Sequence, residues 1–381
     1  MNIEVFNTNF QRIAICDNYE SIIWTDRYND CGDFELYFAM DVSLLSIYRP
    51  DYYLVSDESE YVMIIEDLQI TTDSETGNHL IVRGRSLESI LKRRIVWTQT
   101  LLRGKFQNAV KKLIDQNIID PTIGNKKPLL ANRKITNFRF IESEDTRITN
   151  ISLDDNPQSE DDVVQFTGDV LFDAIKGLCD IFNVGFKITL TDDNIFEFRL
   201  YVGKDRSYAQ NTNPYVVFSP VFENIINSDY SEMKSGYCNV TLVAGEGEGS
   251  ARKTQVAGET NSTELNRREL YTDARDISST YEDDSKDPPV QKTIPASQYN
   301  KMLKNRGLEN LKEVDIKREF NGEVEATQLY KYGRDFFMGD VATLENEYGL
   351  VTRVQVMEFI YSNSTSETSA YPTFKVLEEG E

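Results

Sequence analysis

Apolar and polar residues alternate along much of the first hundred positions. In DFELYFAM, Phe34, Leu36 and Phe38 fall on one face, with Glu35 and Tyr37 on the other. YVMIIEDLQI puts Val62, Ile64, Leu68 and Ile70 on one side. A period of two in β-branched and aromatic residues predicts strands. The polar run TTDSETGNHL, which starts at Thr71, and the resumed strand LIVRG predict a β-hairpin. The period then changes. In GRSLESILKRR, Leu87, Ile90 and Leu91 share a helical face, Ser86 is placed to cap it, and Arg93 and Arg94 suit the last turn. KFQNAVKKLIDQ predicts a second helix on the stripe Phe106, Val110, Leu113 and Ile114. A third follows Thr167, with Val170, Leu171, Ala174, Ile175, Leu178 and Phe182 on one stripe and Gly185 expected to end it. FKITLT and FEFRLYVG read as a strand pair. A fourth helix is expected from near Ser297, with Tyr299, Met302, Leu303, Leu308 and Leu311 apolar. Strands return from about Gln328.

Polar stretches divide these elements. From Ile141 to Asp162, eight acids stand against one base, Arg147, which predicts a long exposed loop. Residues 250–295 are again polar, with STYEDDSKDPP the most solvated piece. Two distant stretches share an order of signals: RPDYYLVSDESEYVMIIEDLQITTDSETGNHLIVRG and YGRDFFMGDVATLENEYGLVTRVQVMEFIYSNSTSETSAYPTFKVL. Each has an aromatic pair, a strand, an acidic turn, a long strand, a Ser/Thr-rich hairpin and a closing strand. The order fits a duplication, and equally two unrelated antiparallel meanders. The expected fold is mainly β with α+β insertions: two small antiparallel β-barrel-like domains and helix-containing intermediate domains. The expected boundaries are 1–97 for the first β domain, 98–190 for a helix-containing domain, 191–295 for a strand-rich segment with polar loops, and 296–381 for a helix followed by the second β domain.

Composition narrows the function. The chain has 381 residues, room for two to four domains at about 100–200 residues each. Its 40% hydrophobic and 11% aromatic content supports real cores rather than disorder. The net charge of -22 repels phosphate and anionic lipid, so nucleic-acid binding is not expected as the main activity. DNA passing an acidic wall without sticking stays compatible with it. Cys16, Cys31, Cys179 and Cys238 form no C-x-x-C pair and read as reduced structural thiols. The start, MNIEVFNTNF, lacks the regions of a signal peptide, and no run approaches about 18 apolar residues, so no stable membrane insertion and cytosolic synthesis are expected.

Enzyme motifs fare poorly. TLVAGEGEGSAR follows the strand-like CNVTLVA, but its spacing is G-x-G-x-G through Gly245, Gly247 and Gly249. Glu246 and Glu248 would meet phosphate with like charge, no helical stripe follows, and no Gly-Lys-Ser/Thr closes a P-loop. A tight polar turn is the expected structure. A Ser-His or Cys-His pair would have to use His79, the one histidine, which lies in an expected hairpin turn beside Asn78. The acids from Asp276 to Asp287 lack the ligand order of a calcium loop, and the cysteines lack zinc spacing. Paired glycosidase carboxylates cannot be selected from 63 acids by sequence. The expectation is no catalytic, cofactor-binding or metal residues, no cofactor and no enzyme activity.

Several segments in order carry a resemblance: CGDFELYF, VRGRSLESILKRRIVW, LYVGKDRSYAQ with VVFSPVFENIINSDY, YCNVTLVAGEGEGSAR, RRELYTDARDIS and YGRDFFMGDVATLENEYGLVTRVQVMEF. Through them the chain resembles, over nearly its whole length, the tail hub proteins of siphophages and prophages of Gram-positive bacteria. These minor tail or tail-associated proteins are related to the central hub of contractile-tail baseplates. The resemblance implies a baseplate-hub-like fold and a homotrimer whose six barrel-like domains form a pseudo-sixfold ring. That ring closes the distal tail tube, adapts sixfold to threefold symmetry and lets DNA pass during ejection. It also implies the distal tail protein, the tape measure protein and receptor-binding or fibre proteins as partners, DNA only in transit, and a place at the virion's tail tip. The family often carries a C-terminal lytic or fibre extension. Here the last barrel-like segment is soon followed by Glu381, so receptor binding is expected to reside elsewhere. The alternatives are a tail-associated cell-wall hydrolase and a host carbohydrate-binding module. The 20 tyrosines could stack on sugars, although strand aromatics more often fill cores.

Overall fold

The N-terminal alternation is realised as seven strands: β1 (Ile3–Phe6), β2 (Arg12–Cys16), β3 (Ser21–Arg27), β4 (Asp33–Ala39), β5 (Tyr53–Ser56), β6 (Met63–Asp73) and β7 (Gly77–Ser86). A short helix, α1 (Leu44–Ile47), links β4 to β5. The computed structural model describes residues 1–75, 77–121, 128–154, 161–225, 228–283, 289–322, 329–349, 351–364 and 368–377. All seven strands pair antiparallel, with β6 and β7 forming the expected hairpin. Phe34, Leu36 and Phe38 are buried as the pattern predicts, beside Trp24, Met63 and Val82. Val62 and Ile64 are buried too, but Ile70 is exposed. A bulge, where the β6–β7 register shifts between Ile65 and Asp67, sets Leu68 and Ile70 opposite the buried Val82 and Leu80, on the other face from Ile64. An extra residue reverses which face later side chains take.

The segment after Ser86 forms tight 3₁₀ turns over Leu87–Arg93 rather than a regular α-helix. Ser86 does not cap it; its hydroxyl accepts the Gly32 N–H at 2.8 Å. Next come β8 (Thr100–Leu102), α2 (Phe106–Ile114), β9 (Phe138–Ile141), α3 (Thr146–Thr149), β10 (Val164–Phe166), α4 (Leu171–Phe182), β11 (Gly185–Leu190) and β12 (Phe196–Tyr201). The predicted stripes of α2 and α4 are buried in one core with Phe186, Ile188 and Phe198. Asn183, at φ 50°, ends α4, not Gly185. Gly185 has a different task. A Cβ there would sit 2.4 Å from the Tyr28 ring, so β11 approaches the N-terminal unit through it. The acidic stretch after Ile141 is partly ordered, because the Asp145 side chain accepts the Arg147 N–H at 2.8 Å and starts α3. Residues 155–160 of that predicted loop lie outside the described residues.

The rest of the chain supplies β13 (Val217–Phe218), β14 (Ser228–Met233), β15 (Val240–Ala244), β16 (Thr254–Gly258), β17 (Glu269–Asp273), β18 (Thr280–Asp283), β19 (Val290–Thr293), α5 (Ala296–Glu313), β20 (Lys317–Gly322), β21 (Val341–Glu345), β22 (Val351–Ser364) and β23 (Thr368–Val376). The polar 250–295 region is not merely loop, since β16 and β17 flank β15 in a three-stranded sheet. Tyr299, Met302 and Leu303 of α5 are buried with Val243 of that sheet, while Leu308 is exposed.

One 13-stranded sheet joins the two ends of the chain in the order β14-β20-β23-β22-β3-β4-β7-β6-β5-β1-β2, with β21 on β22 and β13 on β21. Its halves repeat one another. The N-terminal run β5-β6-β7-β4-β3 matches the C-terminal run β21-β22-β23-β20-β14, every neighbouring pair antiparallel. Even the bulge recurs, as β22 shifts register between Val356 and Glu358. The flanking strand differs: β13 runs parallel to β21, whereas β1 runs antiparallel to β5. The mainly β class with helical insertions is as expected. Two similar antiparallel units are present, but among the described residues the sheet ends at β2 and β14 and does not close into a barrel.

Candidate functional site

The strand SIIWTDR places Ile22, Trp24 and Asp26 in phase, so an acid takes a position that alternation assigns to the core. All three are buried. A buried carboxylate needs donors or a proton. The Trp24 indole N–H donates to Asp26 at 3.0 Å, the Ser59 hydroxyl lies 2.8 Å from one carboxyl oxygen, and the Tyr332 hydroxyl lies 3.3 Å from the other. Beside them the Tyr61 hydroxyl donates to the Arg27 carbonyl at 2.9 Å and lies 3.2 Å from the Tyr201 hydroxyl, which donates to the Tyr28 carbonyl at 3.1 Å. The network thus ties the N-terminal unit to the end of β12 and to the C-terminal unit. Burial pushes the Asp26 carboxyl up to about 7, against the hydrogen bonds from Ser59 and Trp24. A cleft of about 830 Å³ adjoins the network, lined by Trp24, Tyr61, Tyr201, Tyr332, Phe336 and Phe359.

Two further carboxyls rise for the same reason. Burial moves Glu88 to about 7 and Glu309 to about 7, the latter despite Arg306 nearby. Glu88 accepts the Ile188 N–H at 2.6 Å, and its second oxygen has no partner among the described residues. A proton on that oxygen removes the charge that burial disfavours.

A second polar contact joins segments far apart in sequence. The GKDRS turn at 203–207 packs on the MGD segment at 338–340. Arg206 Nε donates to Asp340 at 2.6 Å, and the pair is nearly inaccessible, at 9% and 3% side-chain exposure. Asp340 also accepts the backbone N–H groups of Lys204 at 2.6 Å and Phe337 at 3.1 Å. No sequence motif marks these buried acids. The signal available was positional: Asp26 falls in phase with Ile22 and Trp24.

The glycine-glutamate string forms a turn after β15. Gly247 and Gly249 have φ of 96° and 53°, a region that side chains disfavour. Gly245 sits where a Cβ would lie 2.4 Å from the Tyr299 hydroxyl. That hydroxyl accepts the Glu246 N–H at 3.0 Å and donates to the Ile277 carbonyl at 3.1 Å. Glu246 points to Ser279, accepting its N–H at 2.9 Å and its hydroxyl at 2.5 Å. Burial raises the Glu246 carboxyl, but the Ser279 hydrogen bonds outweigh it and hold the carboxyl below its ordinary value. The turn therefore fastens its sheet to α5. Gly245→Val is expected to cost about 1–3 kcal/mol, the usual penalty of overpacking, read as a lower urea midpoint with an unchanged slope.

His79 lies within β7 rather than in the hairpin turn, and its ring stacks on Tyr37 at 4.7 Å between centroids. All four cysteines are free thiols. Cys16, Cys31 and Cys179 are buried and Cys238 is half-buried. Burial raises the Cys16 thiol to about 11 and Cys31 to about 12, and raises Cys179 as well, which keeps all three protonated and weakly nucleophilic. In the acidic run Asp276 pairs with Arg306 at 3.0 Å and Asp283 with Lys292 at 2.6 Å, while 284–288 lie outside the described residues. No group of three or more metal-ligating side chains occurs among the described residues. No helix among them is long and apolar enough to cross a membrane.

Comparison with known proteins adds the family. The model of a family described as Siphovirus ReqiPepy6 Gp37-like protein matches residues 2–374. No curated protein matches the sequence. Similar solved structures include the tail protein from Neisseria meningitidis MC58, at 14% identity and a TM-score of 0.52, covering 100% of this chain and 97% of that one. The 43 kDa tail protein of prophage MuSo2 from Shewanella oneidensis is 9% identical, with a TM-score of 0.52, covering 98% of this chain and 97% of that one. At these identities the likeness is one of fold.

Proposed function

The chain belongs to the Siphovirus ReqiPepy6 Gp37-like protein family and has the fold of phage tail proteins; on that premise we propose that it is the structural hub of a tail tip. Three copies form a ring that closes the distal tube, adapts sixfold to threefold symmetry and lets DNA through. The observation that carries this reading is the repeat within one chain: two units with the same strand order and the same bulge. Three chains with two like units each present six like units to a sixfold tube. The hub meets the distal tail protein on one side and tape measure and receptor-binding or fibre proteins on others. It works in the virion without catalysing a reaction. With a net charge of -22, acids facing the channel repel passing DNA.

The test is native mass together with negative-stain images. A mass of three times 43.8 kDa with a central channel is expected. A compact monomer that stays monomeric with the distal tail protein added would refute the hub. A cell-wall zymogram separates the hydrolase reading; clearing by the purified chain would contradict a purely structural role.

A further inference from the structure

The two β units differ in one consequential way: a joint made by one stands open in the other. In the made joint, β3 pairs with the far half of β22, Arg27 opposite Glu358, Trp24 opposite Tyr361 and Ser21 opposite Ser364. That half of β22 extends beyond β21, whose pairing covers Val351–Gln355. The counterpart of β22 is β6, which likewise extends beyond β5, paired only at Met63 and Ile64. Among the described residues, Asp67–Thr72 of β6 has β7 on one flank and no strand on the other. The counterpart of β3 is β14, which among the described residues has β20 on one flank and no strand on the other. Both halves of a second joint are therefore present in each copy, at separate places along the sheet.

The ladders fix the register of the open joint. Tyr230 stands opposite Phe320 as Trp24 stands opposite Phe34, and Phe320 stands opposite Phe374 as Phe34 stands opposite Gly84. Tyr230 thus occupies the place of Trp24, and Met233 that of Arg27. On the other strand the shared bulge aligns Asp67 with Glu358 and Ile70 with Tyr361. Carried over, the made joint sets Tyr230 opposite Ile70 and Met233 opposite Asp67. Tyr230, Ile70 and Met233 are 40%, 51% and 46% exposed, large apolar side chains left uncovered on unpaired edges. Such edges are templates for another strand. The Arg27–Glu358 ion pair, at 2.6 Å in the made joint, has no counterpart at Met233 and Asp67, so the apolar pair Tyr230–Ile70 carries the register instead.

We propose that β14 of one copy adds antiparallel to the Asp67–Thr72 half of β6 in a second copy, with Tyr230 opposite Ile70, so that copies join head to tail through a continuous sheet. This names the subunit contact of the ring proposed above and rests on that reading. Main-chain hydrogen bonds supply the adhesion and the apolar pair supplies the register. A head-to-tail contact closes into a ring when its rotation repeats evenly. A joint equivalent to the internal one gives nearly even rotations between units.

Cysteine pairing tests it directly. In a Cys238→Ser background, Ile70→Cys and Tyr230→Cys chains are purified separately, mixed and oxidised. Disulfide-linked pairs of chains are expected in the mixture, and neither variant alone should give them. A second test uses charge. Ile70→Lys and Tyr230→Glu should each lower the native mass to that of one chain, and the double variant should regain the assembly. A ring by native mass that forms no cross-link and survives both charged variants overturns the strand pairing while the hub reading stands. A parent chain that remains monomeric and uncross-linked with the distal tail protein present overturns both.

Discussion

Asp340→Ala is expected to lower the unfolding free energy by about 3–5 kcal/mol, the range for a buried ion pair that loses one partner. The Arg206 guanidinium would stay buried without its carboxylate, and the N–H groups of Lys204 and Phe337 would lose their acceptor. The damage should fall on the seam between the GKDRS turn and the segment before β21. Urea unfolding of the purified chain measures it. The double variant Arg206→Met with Asp340→Leu should recover much of the loss, because no charge is then left unpaired. A single-variant loss under about 1 kcal/mol would mean that the pair behaves like an exposed one.

The second large effect is a fall in stability as pH rises. Asp26 has a folded value of about 7 against an ordinary 3.8, so the folded state holds its proton more tightly than the unfolded state does. For a raised carboxyl, the stabilisation is complete below about pH 4 and is lost as pH rises through 7. Three units correspond to about 4 kcal/mol from this one group. Glu88 and Glu309 act in the same direction. Urea midpoints should therefore drop between pH 5 and pH 8. Asp26→Asn should flatten part of that slope and leave the share of the two glutamates. Midpoints that climb over this interval, or an unaltered slope in Asp26→Asn, would contradict a buried protonated carboxyl at the seam.

The elements themselves were largely legible. Phe34, Leu36 and Phe38 alternate because β4 buries one face, and the stripes of α2 and α4 repeat at helical spacing because one side meets a core. The family expectation drawn from ordered segments also holds. The errors have local causes. Alternation groups Ile70 with Ile64, and a bulge at Glu66, which alternation cannot show, turns it to the other face. Polar neighbours suggest a turn at His79 and hide a paired strand. Gly185 suggests a helix stop, but Asn183 takes the left-handed turn and the glycine admits the Tyr28 ring.

Read alone, the sequence determined the type of most strands and helices outside residues 250–295, the acidity, the turn at Gly245–Gly249 and the similar order of signals in two stretches. These follow from neighbouring residues, through side-chain periodicity and backbone preference. Only the tertiary structure decided that the two stretches are equivalent units, that they share one open sheet, and that Asp26 and Asp340 are buried at the seams. Pairing β3 with β22 joins residues more than three hundred positions apart. A strand's own alternation says which face is buried but not which edge finds a partner, and the partner's edge determines where the next copy can dock.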